Sequence, residues 1–159
     1  MILFHGSNVD VREPKLLKIQ RKLDFGKGFY TTSDQEQATK WAKRTAARLK
    51  QNFGFVTVYE IDDALMSTLS ILKFEGPDVD WLRFVVKNRS GLPITPNWDL
   101  IIGPVANDQT APVIDLFLDG MYDEEEAIKR LLPQKLKDQY TFKTEKAINL
   151  LVCKEVIRV

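Results

Sequence analysis

The chain has 159 residues, 44% hydrophobic and 28% charged, and its 23 basic and 22 acidic side chains leave a net charge of +1. This is the composition of a soluble globular protein, and no apolar run reaches the roughly eighteen residues that a membrane-spanning helix needs. Cys153 is the sole cysteine, so an intrachain disulfide is excluded and a zinc site built on thiolates is disfavoured. The start MILFHGSNVD lacks the basic flank and long apolar core of a signal peptide, and a reducing, cytoplasmic setting is expected.

In chain order, residues 1–5 read as a short strand and 8–24 as a long basic loop with one helical turn near Pro14-Lys15-Leu16-Leu17. Phe25-Gly26-Lys27-Gly28-Phe29-Tyr30 mixes glycine with aromatics and leads into a strand. Ser33-Asp34-Gln35-Glu36 has the form of a capping box, with Ser33 at the N-cap of a helix running to about Lys50. Ala38, Trp41, Ala42, Thr45 and Leu49 are spaced to form its inward face.

A strand rich in β-branched and aromatic residues follows over 55–61, then a helix over 78–88 and a short buried strand over 99–103. Helices are expected over 111–118 and 123–132, divided near Gly120. Strands over 138–143 and 150–159, with a turn or short helix at 144–148 between them, close the chain. Trp81, Trp98 and Cys153 are expected in the core. There is no repeat, low-complexity tract or long linker, so one domain over 1–159 is expected. The order of elements lacks regular βαβ alternation, which favours an α+β fold with antiparallel sheets.

Charge is unevenly spread. Residues 11–50 carry eleven basic side chains against four acidic ones, whereas 107–126 carry seven acidic ones and no basic one. The basic stretch suits a phosphate-bearing ligand or a nucleic acid; the plainer reading is a set of solvated helix faces.

Three segments carry the chemistry: Leu3-Phe4-His5-Gly6-Ser7, Phe25-Gly26-Lys27-Gly28-Phe29-Tyr30 with its following helix, and Asp138-Gln139-Tyr140-Thr141-Phe142. Together and in this order they resemble the His, Tyr and Glu motifs of the ADP-ribosyltransferase fold, in its poly(ADP-ribose) polymerase-like and diphtheria-toxin-like branch. The chain is also similar to a bacterial family of such folds with no assigned function, some of whose members look like toxins of toxin–antitoxin pairs.

The resemblance implies a split β-sandwich of antiparallel sheets with flanking helices, and NAD as substrate without any metal. It implies that His5 binds a ribose hydroxyl, that the Gly6 backbone beside Ser7 pairs with the nicotinamide carboxamide, and that Tyr30 and Trp41 stack on the ring. Ala38 stands where a serine often binds the carboxamide. The backbone at Gly28 approaches the ligand, and Lys27 with the basic loop over 12–22 neutralises the pyrophosphate. Gln139 replaces the usual glutamate. An amide can orient the ribose but cannot act as a general base, which argues for single transfer and against chain elongation.

The resemblance thus implies a mono-ADP-ribosyltransferase acting on a protein or nucleic-acid acceptor, with an antitoxin protein as a further expected partner. Gln139 keeps open a second reading, an NAD- or ADP-ribose-binding module without turnover. Glu145 is the nearest downstream carboxylate, expected to face solvent. Taken singly, His5 reads equally as a structural histidine, and Tyr30 and Trp41 as core aromatics.

Overall fold

The computed structural model describes residues 1–18, 23–94 and 97–159. One sheet has three antiparallel strands, β1 (Ile2–Ser7), β3 (Phe55–Glu60) and β7 (Val152–Arg158), in the order β1-β3-β7. The second contains β2 (Phe29–Thr31), β4 (Ile71–Lys73), β5 (Leu100–Pro104) and β6 (Asp138–Phe142), in the order β2-β6-β5-β4. Among the described residues six helices complete the set: α1 (Gln35–Arg48), α2 (Asp63–Met66), α3 (Val79–Arg89), α4 (Ala111–Leu118), α5 (Glu124–Leu131) and α6 (Glu145–Ile148). The fold is α+β, as the element order implied.

The expectation of purely antiparallel sheets needs one correction. β4 pairs with β5 in parallel. A parallel partner requires a long crossover, and α3 lies between these two strands. Neither α2 nor β4 was expected, since four and three residues are too few to show a period. The helical turn expected near Pro14 is not formed. Residues 19–22 of the basic loop lie outside the described residues.

Side chains alternate across each strand, and this sorts the core into layers. Leu3 and Tyr59 of the first sheet meet Phe29, Leu100, Ile102 and Phe142 of the second in a shared apolar cluster, which α6 extends with Ala147 and Ile148. The opposite face of the second sheet packs Ile101 against Phe25, Trp81, Leu82, Val85, Ile114, Ala127 and Leu131, joining it to α3, α4 and α5. Burial of each large side chain contributes about 1.5–3 kcal/mol. Trp81 is fully buried and donates Nε1–H to the Pro104 carbonyl at 3.0 Å. Trp98 and Cys153 are only half-buried, at the edges of their clusters.

α1 covers the other face of the first sheet, and it does so differently from its expected pattern. Its buried residues are Ala38, Ala42 and Ala46, whereas Trp41 and Leu49 are 53% and 51% exposed. The cause is close approach. A Cβ at Gly6 would lie 2.1 Å from the Ala38 carbonyl oxygen, and one at Gly54 would lie 2.6 Å from that of Ala42. A helix this near a strand has room only for alanine. The N-cap is Asp34 rather than Ser33, with the Asp34 carboxylate accepting from Gln37 N at 2.8 Å. Ser33 is engaged instead by Asp138.

The two sheets are joined where Phe4 and Thr32 exchange backbone hydrogen bonds, Phe4 N to Thr32 O at 2.8 Å and Thr32 N to Phe4 O at 2.9 Å. Beyond this bridge the strands diverge into their separate sheets.

Candidate functional site

His5 lies one residue past the bridge, on the face of β1 that turns toward the shared core. Its ring stacks on Phe29 with centroids 4.3 Å apart, and Nδ1 is 2.7 Å from the Tyr30 carbonyl oxygen. A carbonyl only accepts, so the proton sits on Nδ1 and Nε2 is left with its lone pair. Burial pushes the imidazole pKa below its ordinary value, partly opposed by the contact with the Tyr30 carbonyl. His5 is therefore a neutral, tautomer-fixed ring whose Nε2 can accept a hydrogen bond from a hydroxyl.

Backbone parity gives Gly6 its place. Met1 and Ile61 exchange hydrogen bonds, and alternation makes Leu3, His5 and Ser7 the residues bonded to β3. Phe4 uses the opposite edge of β1 for its bridge to Thr32. Gly6 directs its N–H and C=O to that same edge, in the split beyond the bridge. A donor and an acceptor on one residue match a primary carboxamide. The packing of α1 independently requires glycine here, so the residue serves two purposes at once.

Tyr30 points the other way. Phe29 packs into the shared core and Tyr30 into the cluster around Phe25. Its hydroxyl donates to the Gly26 carbonyl at 2.6 Å and accepts from Phe25 N at 3.1 Å. Burial is the chief cause that raises its pKa well above the ordinary phenol value, so the ring is neutral.

The glycine turn is held by further residues that the sequence did not single out. Lys143 Nζ donates to the Phe25 carbonyl at 2.5 Å, and Asn88 Nδ2 donates to the Asp24 carbonyl at 3.0 Å. Arg89 pairs with the Asp24 carboxylate at 2.8 Å. Burial lowers the Lys143 ammonium to about 8. Gly26 has φ +72°, which favours glycine, and a Cβ at Gly28 would lie 2.6 Å from Thr141 Cγ2. The only sequence signal for Lys143 is that it directly follows the third motif.

Gln139 is 4% exposed, and its amide donates to the Pro104 carbonyl at 3.3 Å, the same oxygen that takes the Trp81 indole N–H. Tyr30 lies opposite Thr141 in the β2–β6 register, so Tyr30, Thr141 and Gln139 share one face of the second sheet. Asp138, on the other face, binds the start of α1 through Ser33 and Thr32. Trp41 stands on the solvent side of α1. Lys27 is exposed, with Nζ donating to the Lys18 carbonyl at 2.8 Å. Ser7 Oγ accepts from Val9 N at 3.3 Å, and Glu145 is exposed in the first turn of α6. The structure thus brings His5, Gly6 and the Tyr30 backbone together. It sets Gln139 behind Tyr30, and Trp41 on a separate element.

Among the described residues no helix is long and apolar enough to cross a membrane. Fold and site together define an α+β protein with two sheets parting beside a neutral histidine. Residues 1–152 match the model of a family described as a protein of unknown function, DUF3990, and the chain belongs to that family. No curated protein and no solved structure matches it.

Proposed function

We propose that the protein is an NAD-dependent mono-ADP-ribosyltransferase, with the split beside β1 as its nicotinamide site. The observation that carries this reading is the fixed tautomer of His5 next to the backbone of Gly6, whose N–H and C=O point to the edge of β1 away from β3. One offers an acceptor to a ribose hydroxyl, the other a donor–acceptor pair to a carboxamide. In the reaction, the bond between the ribose C1′ and the nicotinamide nitrogen breaks, and its electron pair leaves with nicotinamide. An acceptor oxygen or nitrogen then bonds to C1′ and releases its proton to solvent. Holding the ring and ribose in place, in a site shielded from water, supplies the orientation and charge stabilisation this step needs. The acceptor macromolecule, a cytoplasmic setting and a neutralising antitoxin partner belong to the same proposal.

The test is incubation with NAD labelled in its adenosine half, following free nicotinamide and label attached to macromolecules. His5→Ala is expected to lose at least a hundredfold in nicotinamide release; equal rates for variant and wild type would remove this site from the chemistry. A second reading, NAD binding without turnover, is favoured by the engagement of Gln139 with Pro104 in place of a carboxylate. Tight NAD binding by calorimetry with no nicotinamide release over hours would select it.

A further inference from the structure

At the end of the first sheet, past His5, lies a recess of about 320 Å³ lined by Asn8, Lys50, Gln51, Asn52, Phe53 and Phe55. That volume sits at the lower end of small-ligand pockets, about 300–1,000 Å³. Ser7 pairs with Phe55, and Phe55 with Arg158, so these three share the sheet face that carries His5. Phe53 is 42% exposed; the Arg158 guanidinium lies 4.8 Å from its ring centroid, and Phe55 meets it edge-on at 5.7 Å. The recess therefore combines a half-exposed aromatic ring, the Lys50 cation with the Arg158 guanidinium beside it, and three side-chain amides. Among the described residues no acidic side chain lines it.

We propose that this recess binds a single strand of nucleic acid. Each of its parts has a counterpart in such a strand. A ring with an adjacent guanidinium stacks on bases of any sequence, amides pair with base edges, and cations meet the phosphates. The nearby C-terminus of α1 has the wrong polarity for phosphate, but Arg48 and Lys50 reverse the local charge. The larger cavity between β4 and α3 makes a poorer candidate: its acidic and basic side chains balance, with Lys73 paired to Glu75 and Arg83 to Glu124. From His5 to Asn8 is three residues of extended chain, about 10 Å. A strand held here lies beside the split, which deepens the reading above by making nucleic acid the acceptor class, and this acceptor assignment rests on that reading.

The experiment is fluorescence anisotropy with a labelled twelve-nucleotide poly-dT strand, its poly-rU counterpart and a duplex of the same length, without NAD. Single strands are expected to bind more tightly than duplex. Their affinity should fall about twentyfold between 50 and 200 mM salt if three phosphates are neutralised. Phe53→Leu, which keeps apolar bulk, should weaken binding about tenfold at unchanged salt slope, and the exposed Lys50→Gln should flatten the slope. A flat salt response, equal binding of duplex, or wild-type affinity in both variants overturns the proposal. His5→Ala must retain oligonucleotide binding. Nicotinamide release without strand binding defeats this recess alone; strand binding without nicotinamide release defeats the transferase reading alone.

Discussion

Asp138 grips Ser33 with both carboxylate oxygens, Oδ2 accepting from the Ser33 hydroxyl at 2.5 Å and Oδ1 from its backbone N–H at 2.9 Å. The contact fixes the entry of α1 to the first residue of β6, and so fixes where Trp41 stands relative to Gln139. Asp138→Asn replaces one acceptor oxygen with a donor and removes the charge from both bonds. The expected loss is about 1–2 kcal/mol of unfolding free energy, measured by urea titration.

Gly6→Ala tests the contact between α1 and β1. A methyl group 2.1 Å from the Ala38 carbonyl cannot be accommodated without moving the helix, and a loss of about 3 kcal/mol or more is expected. Gly76 is the matched control: nothing lies within 4 Å of a Cβ built there, and its alanine variant should unfold within about 0.5 kcal/mol of wild type. Equal denaturation midpoints for the two variants would contradict the close approach described above.

The histidine supplies a pH signature. Its folded pKa lies below the unfolded value of about 6.5, so below that pH the unfolded chain takes up a proton that the folded chain refuses. The His5 contribution is complete above about pH 6.5 and is lost as pH falls toward the folded pKa. His5→Gln should flatten this limb of the stability profile. Since the chain has one histidine, its imidazole resonances can be followed by NMR without assignment, with a midpoint below 6.5 and the Nδ1–H tautomer expected. A midpoint at or above 6.5 would mean that the ring is not shielded as described.

Trp41 separates packing from ligand binding. Because its indole is half exposed, Trp41→Ala should change stability by less than about 1 kcal/mol. If the ring stacks on nicotinamide, the same variant should raise the Kd for NAD by about five- to tenfold, the scale of one aromatic stacking contact. Unchanged NAD affinity in calorimetry would assign the tryptophan to another surface.

Much of the helical skeleton was legible because its signals are local. α4 runs over the expected 111–118, and α3 and α5 begin one residue after aspartate N-caps at Asp78 and Asp123. What was hidden depends on partners distant in sequence. Trp41 and Leu49 fit an apolar stripe as well as any buried residue, and only the glycines of β1 and the 54-position loop reveal that the stripe must be alanine. Ser33 looked like a cap because its competitor, Asp138, lies about a hundred residues away. The motif residues His5 and Tyr30 do meet, yet through a ring nitrogen and a main-chain oxygen, a contact with no compositional trace. Gln139 was visible as a substitution, but its attachment to Pro104 was not.

β3 takes its two neighbours from the first and last strands of the sequence, so one of its edges stays bare until β7 has been synthesised and has docked. Contacts of such long sequence separation form late and slow folding, because the intervening chain must be ordered before they are rewarded. Until β7 docks across that edge, the sheet that holds the histidine is a two-strand ribbon of β1 and β3.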